Sequence, residues 1–184
     1  MPWQSVTLDG GKMVNLYIQE FTQECGPSCV VMISRLLGFS TDIARARHLV
    51  GKEDRNKPPG AWKDGLHDFS TDWSYMESLT QALVSVGIKG AKTFKDKTKT
   101  EYQKFCESRD EKTPAILRLQ WYHGGGHFVV TIGKNTNKDK NFIEILDPFY
   151  GYKKVDIGVF PDYIINGKCI GQLDKNFSVA TVKW

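Results

Sequence analysis

The stretch from Gln19 to Leu37, QEFTQECGPSCVVMISRLL, limits the possible folds more than any other part of the chain. A polar approach ends at Cys25, Gly26 and Pro27 follow, and an almost wholly apolar helix begins. Pro27 suits a first helical position, where its missing N–H costs nothing. Val30, Val31, Ile33, Leu36 and Leu37 leave the helix no broad polar face, so it is expected to run through the core. Gly38 is a natural stop. Cys25 is thereby placed at the mouth of a buried helix, where the N-terminal partial positive charge favours thiolate over thiol. A nucleophilic cysteine needs that environment.

The remaining chain offers room for such a core. Its 184 residues suit a single domain, and 40% hydrophobic with 25% charged residues is ordinary for a globule. No apolar run approaches the roughly 18 residues of a membrane span. Residues 1–20 lack a basic start followed by an apolar stretch, so no secretory signal is expected. The expected location is the cytoplasm, or outside the cell by export without a classical signal peptide. Four cysteines (Cys25, Cys29, Cys106 and Cys169) are too few for a disulfide scaffold and read as free thiols. The net charge of +4 is mild. The lysines between Lys89 and Lys104 are interrupted by Asp96 and Glu101, which reads as a solvated face with no nucleic-acid partner.

Ser5–Leu8 and Met13–Ile18 read as short strands around Asp9, Gly10 and Gly11. Thr41 is expected to cap a second helix over 42–50. Residues 51–72 are polar, hold Pro58 and Pro59, show no period, and read as a long surface loop pinned by Trp62, Leu66 and Phe69. A third helix is expected over 73–86, a short strand at Ile88, and a fourth, amphipathic helix over 97–108. After Pro114 the period shortens to that of strands: 115–121, 127–134, 141–147, 151–155 and 178–183. Helices first and an antiparallel sheet second make an α+β layout.

A thiolate nucleophile in a hydrolase wants a histidine to share its proton and a third group to orient that histidine. His48 sits among arginines on the second helix and His67 in the long loop. His123 and His127 flank Gly124–Gly126. If 127–134 and 141–147 form a symmetric hairpin about Asn137, His127 opens one strand opposite Asp147, which ends the next. Opposed Cβ atoms lie about 4.5–5.5 Å apart, so the aspartate is expected to accept from the ring and fix its tautomer. For the oxyanion, the Cys25 backbone N–H is one donor. A side-chain amide, Gln19 or Gln23, is the second, and spacing does not choose between them.

Gln19, Cys25-Gly26-Pro27-Ser28-Cys29, His127-Phe128-Val129-Val130 and Leu146-Asp147-Pro148 together resemble the papain-like cysteine peptidases. The closest likeness is to their bacteriocin-processing branch, the double-glycine peptidase domains and their free-standing relatives. The resemblance implies an α+β papain-like fold, in which an N-terminal helical half with a central buried helix packs on a C-terminal antiparallel sheet. It implies one peptidase domain over 1–184, with Cys25 as nucleophile, His127 as base, Asp147 as orienter and Gln19, over Gln23, as oxyanion donor. No transporter follows within the 184 residues, and the 51–72 loop is an addition to that branch's pattern. Stand-alone domains of this type also occur as bacterial effector toxins.

The expected function is peptide-bond cleavage through a thioester acyl-enzyme, with a protein or peptide substrate and no cofactor or metal. In an effector, an inhibitory or immunity partner is expected as well. The same triad also runs transglutaminase and deamidase chemistry. A third reading is non-catalytic: Cys25 with Cys29 and His123 with His127 have spacings found in structural zinc sites. The triple glycine argues against a helix carrying both histidines, and Cys29 reads better as a buried residue one turn into the helix.

Overall fold

A computed structural model describes residues 2–21, 24–52, 74–95, 97–134 and 141–181. The apolar run forms helix α1, Cys25–Leu36, and every residue from Cys25 to Ser34 is buried. Glu24 is the N-cap, so Pro27 falls third in the helix, not first. That position still belongs to the turn whose N–H groups have no intrahelical acceptor, so the proline is harmless. Gly38 takes a φ of 78° just beyond the Leu37 C-cap, the left-handed stop expected of it.

Strands β1, Trp3–Thr7, and β2, Met13–Tyr17, form an antiparallel hairpin. Helices α2, Ile43–Lys52, and α3, Ser74–Val86, pack with it around α1. The cap of α2 is Asp42, not Thr41: Asp42 Oδ1 accepts the Arg45 N–H at 2.7 Å. Strand β3 is Lys92–Phe94. Ile88, expected to open a strand, instead donates its N–H to Leu83 O at 3.0 Å and finishes the α3 turn. Helix α4, Lys99–Glu107, opens with a capping box between Thr98 and Glu101.

The main sheet is antiparallel. Its strands β4 (Ala115–Trp121), β5 (Gly126–Gly133), β6 (Phe142–Asp147), β7 (Gly151–Asp156), β8 (Asp162–Ile165) and β9 (Lys168–Ala180) run in the order β3-β9-β4-β5-β6-β7, with β8 on β9. Strand alternation divides the core in two. Phe128, Val130 and Ile132 of β5 join the cluster around α1. Val129 joins Leu117, Leu119, Ile143 and Ile145 in a second cluster with Tyr102 and Phe105 of α4. The sheet is thus sandwiched between the helix carrying Cys25 and α4. The long loop expected over 51–72 lies outside the described residues from 53 onward. So do the hairpin turn at 135–140 and the end of the strand expected at 178–183.

A sharp constraint lies at Gly133, where β5 bulges and meets the C-terminal end of α4. Its φ is 76°, and a Cβ there would stand 1.6 Å from Arg109 O and 2.3 Å from Arg109 C. Backbone on one side and a strand on the other leave little room to give. Gly133→Ala is expected to cost about 2–4 kcal/mol, from left-handed strain plus overpacking. Urea denaturation should show the drop, and an unchanged midpoint would contradict so close an approach.

Candidate active site

Cys25 is the first residue of α1 and only 3% exposed. The helix therefore places its N-terminal dipole at the thiol, as the sequence anticipates. Cys29, one turn inside, is wholly buried, and burial, then the nearby Cys25 and Asp147, push its thiol pKa well up. It is a packing residue held neutral.

His127 and Asp147 do meet, although not as the symmetric hairpin has it. Strands β5 and β6 pair Val130 with Leu146 and Thr131 with Ile145, with an irregularity before Gly133. Continuing that register sets Asp147 opposite Val129, so His127 is its diagonal neighbour two residues off. Diagonal partners lie on the same face, within reach of long side chains. The imidazole closes the gap: His127 Nε2 and Asp147 Oδ1 are 2.7 Å apart. With Nε2 given to Asp147, Nδ1 is the nitrogen left for Cys25, which lies close enough to raise the pKa of the ring.

The electrostatics follow from this sandwich of groups. Burial works against a charged His127, but the hydrogen bonds and charges of Asp147 and Cys25 outweigh it and raise the pKa to about 10. Asp147 is fully buried, and burial works against its charge too. The bonds from His127, Tyr163 and Tyr150 nevertheless hold its carboxyl below the ordinary range. Asp147 Oδ1 also accepts the backbone N–H groups of Phe149 at 2.7 Å and Tyr150 at 3.0 Å. Pro148 helps set that turn. Asp147 Oδ2 accepts the Tyr163 hydroxyl at 2.6 Å. A carboxylate with four donors is fixed in both position and charge.

Tyr163 is a contributor that the sequence did not disclose. It comes from β8, a four-residue strand with no distinctive pattern of its own. Trp121 packs against the other side of the histidine, its ring stacked on that of His127 at 5.3 Å between centroids. It leaves the imidazole little freedom to rotate. Tyr122, by contrast, is 55% exposed.

Gln19 lies two residues past β2. Its N–H donates to Pro148 O at 2.8 Å, which ties the segment before Cys25 to the turn after Asp147. The side-chain Nε2 donates to Phe21 O at 2.8 Å. The amide is thus folded toward the loop leading to Cys25, and an oxyanion role requires it to exchange that carbonyl for the substrate's. Gln23 lies outside the described residues.

The other candidates fall away from this centre. His48 and His123 are exposed, and His67 lies outside the described residues. Gly124 and Gly125 take φ of 93° and 82°, values required by the tight turn joining β4 to β5. Among the described residues no group of three His, Cys, Asp or Glu side chains is arranged to hold a metal. No helix among them is long and apolar enough to cross a membrane.

No protein-family model and no curated protein matches the chain. Solved structures do. A double-glycine-motif protease from an AMS/PCAT transporter, solved with its leader peptide, matches with a TM-score of 0.53 at 18% identity. The match covers 96% of this chain and 95% of that one. The peptidase domain of Streptococcus ComA, a bi-functional ABC transporter of a quorum-sensing pathway, matches at 0.58 and 15% identity. It covers 91% of this chain and 98% of that one. The chain thus has the mixed α+β fold of the papain-like, double-glycine peptidase domains.

Proposed function

We propose that the chain is a cysteine peptidase in which Cys25, His127 and Asp147 form the catalytic triad and Gln19 completes the oxyanion site. The observation that carries this reading is the His127–Asp147 bond at 2.7 Å, made through Nε2, which leaves Nδ1 available to the neighbouring cysteine at a helix N-terminus. Cys25 Sγ attacks the peptide carbonyl and forms a thioester bond as the C–N bond breaks. The Cys25 N–H and the Gln19 amide hold the oxyanion, and protonated His127 gives its proton to the leaving amine. Water then adds to the thioester with His127 as base. The S–C bond breaks, and the thiolate and imidazolium return. Double-glycine peptides are the first substrates to try, because the fold is shared with domains that process them.

The test is covalent capture. A peptide ending in Gly-Gly vinyl sulfone is expected to alkylate Cys25, as located by mass spectrometry, and His127→Ala is expected to suppress the reaction. The exposed Cys169 serves as an internal reference for unguided thiol reactivity. Labelling of Cys169 at the expense of Cys25 would sink the proposal. Incubation with glutamine-containing peptides reads the acyl acceptor: chain cleavage marks a peptidase, and ammonia release without cleavage marks a deamidase.

A further inference from the structure

Glu24 immediately precedes the nucleophile and is completely buried. A carboxylate beside a thiol that must carry negative charge is an unfavourable placement unless the carboxylate does something there. At a helix N-cap an acidic side chain ordinarily accepts from the first turn, but Glu24 makes no such bond. It turns back instead. Glu24 Oε1 takes the Arg47 Nε at 2.6 Å and also the second guanidinium nitrogen of that α2 residue. Glu24 Oε2 takes the Glu20 N–H at 2.9 Å. The Glu24 N–H donates to Phe21 O at 3.1 Å, the same carbonyl that receives the Gln19 amide. Arg47 also lies over the Phe21 ring at 5.2 Å. The two ends of the Gln19–Cys25 segment are therefore clamped together through one carboxylate anchored on a neighbouring helix.

We infer that Glu24 and Arg47 are a positioning pair that holds the backbone at Gln19 and at Cys25 in register, so that the Gln19 amide, on exchanging Phe21 O for the substrate, meets the Cys25 N–H as an oxyanion site. This rests on the peptidase reading above. Arg47 neutralises the charge of Glu24, so the clamp does not oppose the thiolate. The pair touches no substrate and acts through Gln19 and the backbone. Reactions that build an oxyanion on the acyl group should need it, and reactions of the thiolate that build none should not.

Two probes separate these cases, both in a Cys169→Ser background to remove the exposed thiol. p-Nitrophenyl acetate transfers its acetyl group to Cys25 Sγ and expels p-nitrophenolate through a tetrahedral oxyanion. Iodoacetamide alkylates the same sulfur by displacing iodide, with no oxyanion formed. Glu24→Gln is expected to slow the nitrophenolate burst about 10–100-fold, somewhat less than loss of a whole oxyanion donor, and to leave Cys25 alkylation within about twofold. In a Gln19→Ala background, Glu24→Gln should add less than about threefold, because the group it positions is gone. Arg47→Lys keeps the charge and loses the two-point fork. It should show the same split at several-fold, and it carries the test if Glu24→Gln does not fold. Equal slowing of both probes, no slowing of acetyl transfer, or full multiplication with Gln19→Ala overturns the inference. A parent protein without a Cys25-dependent burst instead overturns the peptidase reading itself.

Discussion

Cys25→Ala is expected to lower kcat/KM for any cleaved peptide by about 10⁴-fold or more while the fold survives. If Cys25 is the proposed nucleophile, removing it ends covalent catalysis outright and leaves only what binding and the proposed oxyanion site give to attack by water. The structural cost is small. Cys25 is 3% exposed but sits at the first position of α1, and alanine keeps everything except the sulfur. Its loss should cost about 1 kcal/mol, the order of a buried methylene with a small residual cavity. A urea midpoint close to that of the parent, together with lost turnover, is the expected pair of results. Cys25→Ser should be nearly as inactive, because a hydroxyl cannot form the ion pair with His127 that a thiol can. Turnover retained in Cys25→Ala would place the chemistry elsewhere.

The parts of this arrangement that were legible in the sequence are those governed by local chemistry. The run Cys25–Leu37 is almost wholly apolar apart from Ser28, Ser34 and the exposed Arg35, and a helix with so little polar surface belongs in the core. His127 and Asp147 stand out because each is polar at the end of a strand of valines and isoleucines. The symmetric hairpin sets the pairing two residues out, since the irregularity before Gly133 moves the hairpin off its symmetric centre. It survives because an even slip keeps both residues on one face, and an imidazole is long enough to reach a diagonal neighbour. An odd slip would have separated them.

Long-range pairings were not legible, for a physical reason. Strand β9 runs from Lys168 to Ala180, yet the sequence pattern predicts only its end. Its register against β4 jumps from Leu117–Ser178 to Arg118–Asp174, and the period-2 pattern breaks at that point. Gly171 interrupts it again. There a Cβ would stand 2.4 Å from Gln120 O, so the glycine serves close backbone contact with β4. Without β9 there is nothing to anchor β8, and without β8 no reason to bring Tyr163 to Asp147. Glu24 and Arg47 are hidden in the same way: each reads as a surface charge until α2 is packed beside α1.

Asp147 separates what charge does in the site from what shape does, and its two replacements should behave differently. Asp147→Ala removes the acceptor for four donors: His127 Nε2, the N–H groups of Phe149 and Tyr150, and the Tyr163 hydroxyl. In a fully buried place that should cost about 3–5 kcal/mol of stability. It should also lower kcat/KM about 10³-fold or more, because the histidine loses its tautomer and its orientation. Asp147→Asn is gentler. Its carbonyl can keep the three N–H donors, and the Tyr163 hydroxyl can rotate to accept from the new amide. The fold should hold, and what disappears is the negative charge. His127 stays protonated up to about 10, with Asp147 foremost among the groups that offset burial. Loss of that carboxylate favours the neutral ring, so the histidine pKa falls. In the proposed mechanism activity needs the protonated ring beside the thiolate, and the alkaline limb of kcat/KM reports that proton. The parent limb is therefore expected near pH 10, and the Asp147→Asn limb at clearly lower pH. The loss should be modest at pH 6 and about 10–100-fold at pH 9. Mass-action effects of salt are excluded by running both profiles at one ionic strength. A limb that stays in place would mean that Asp147 only orients the ring, and an Asp147→Ala variant as active as the parent would remove Asp147 from the mechanism altogether.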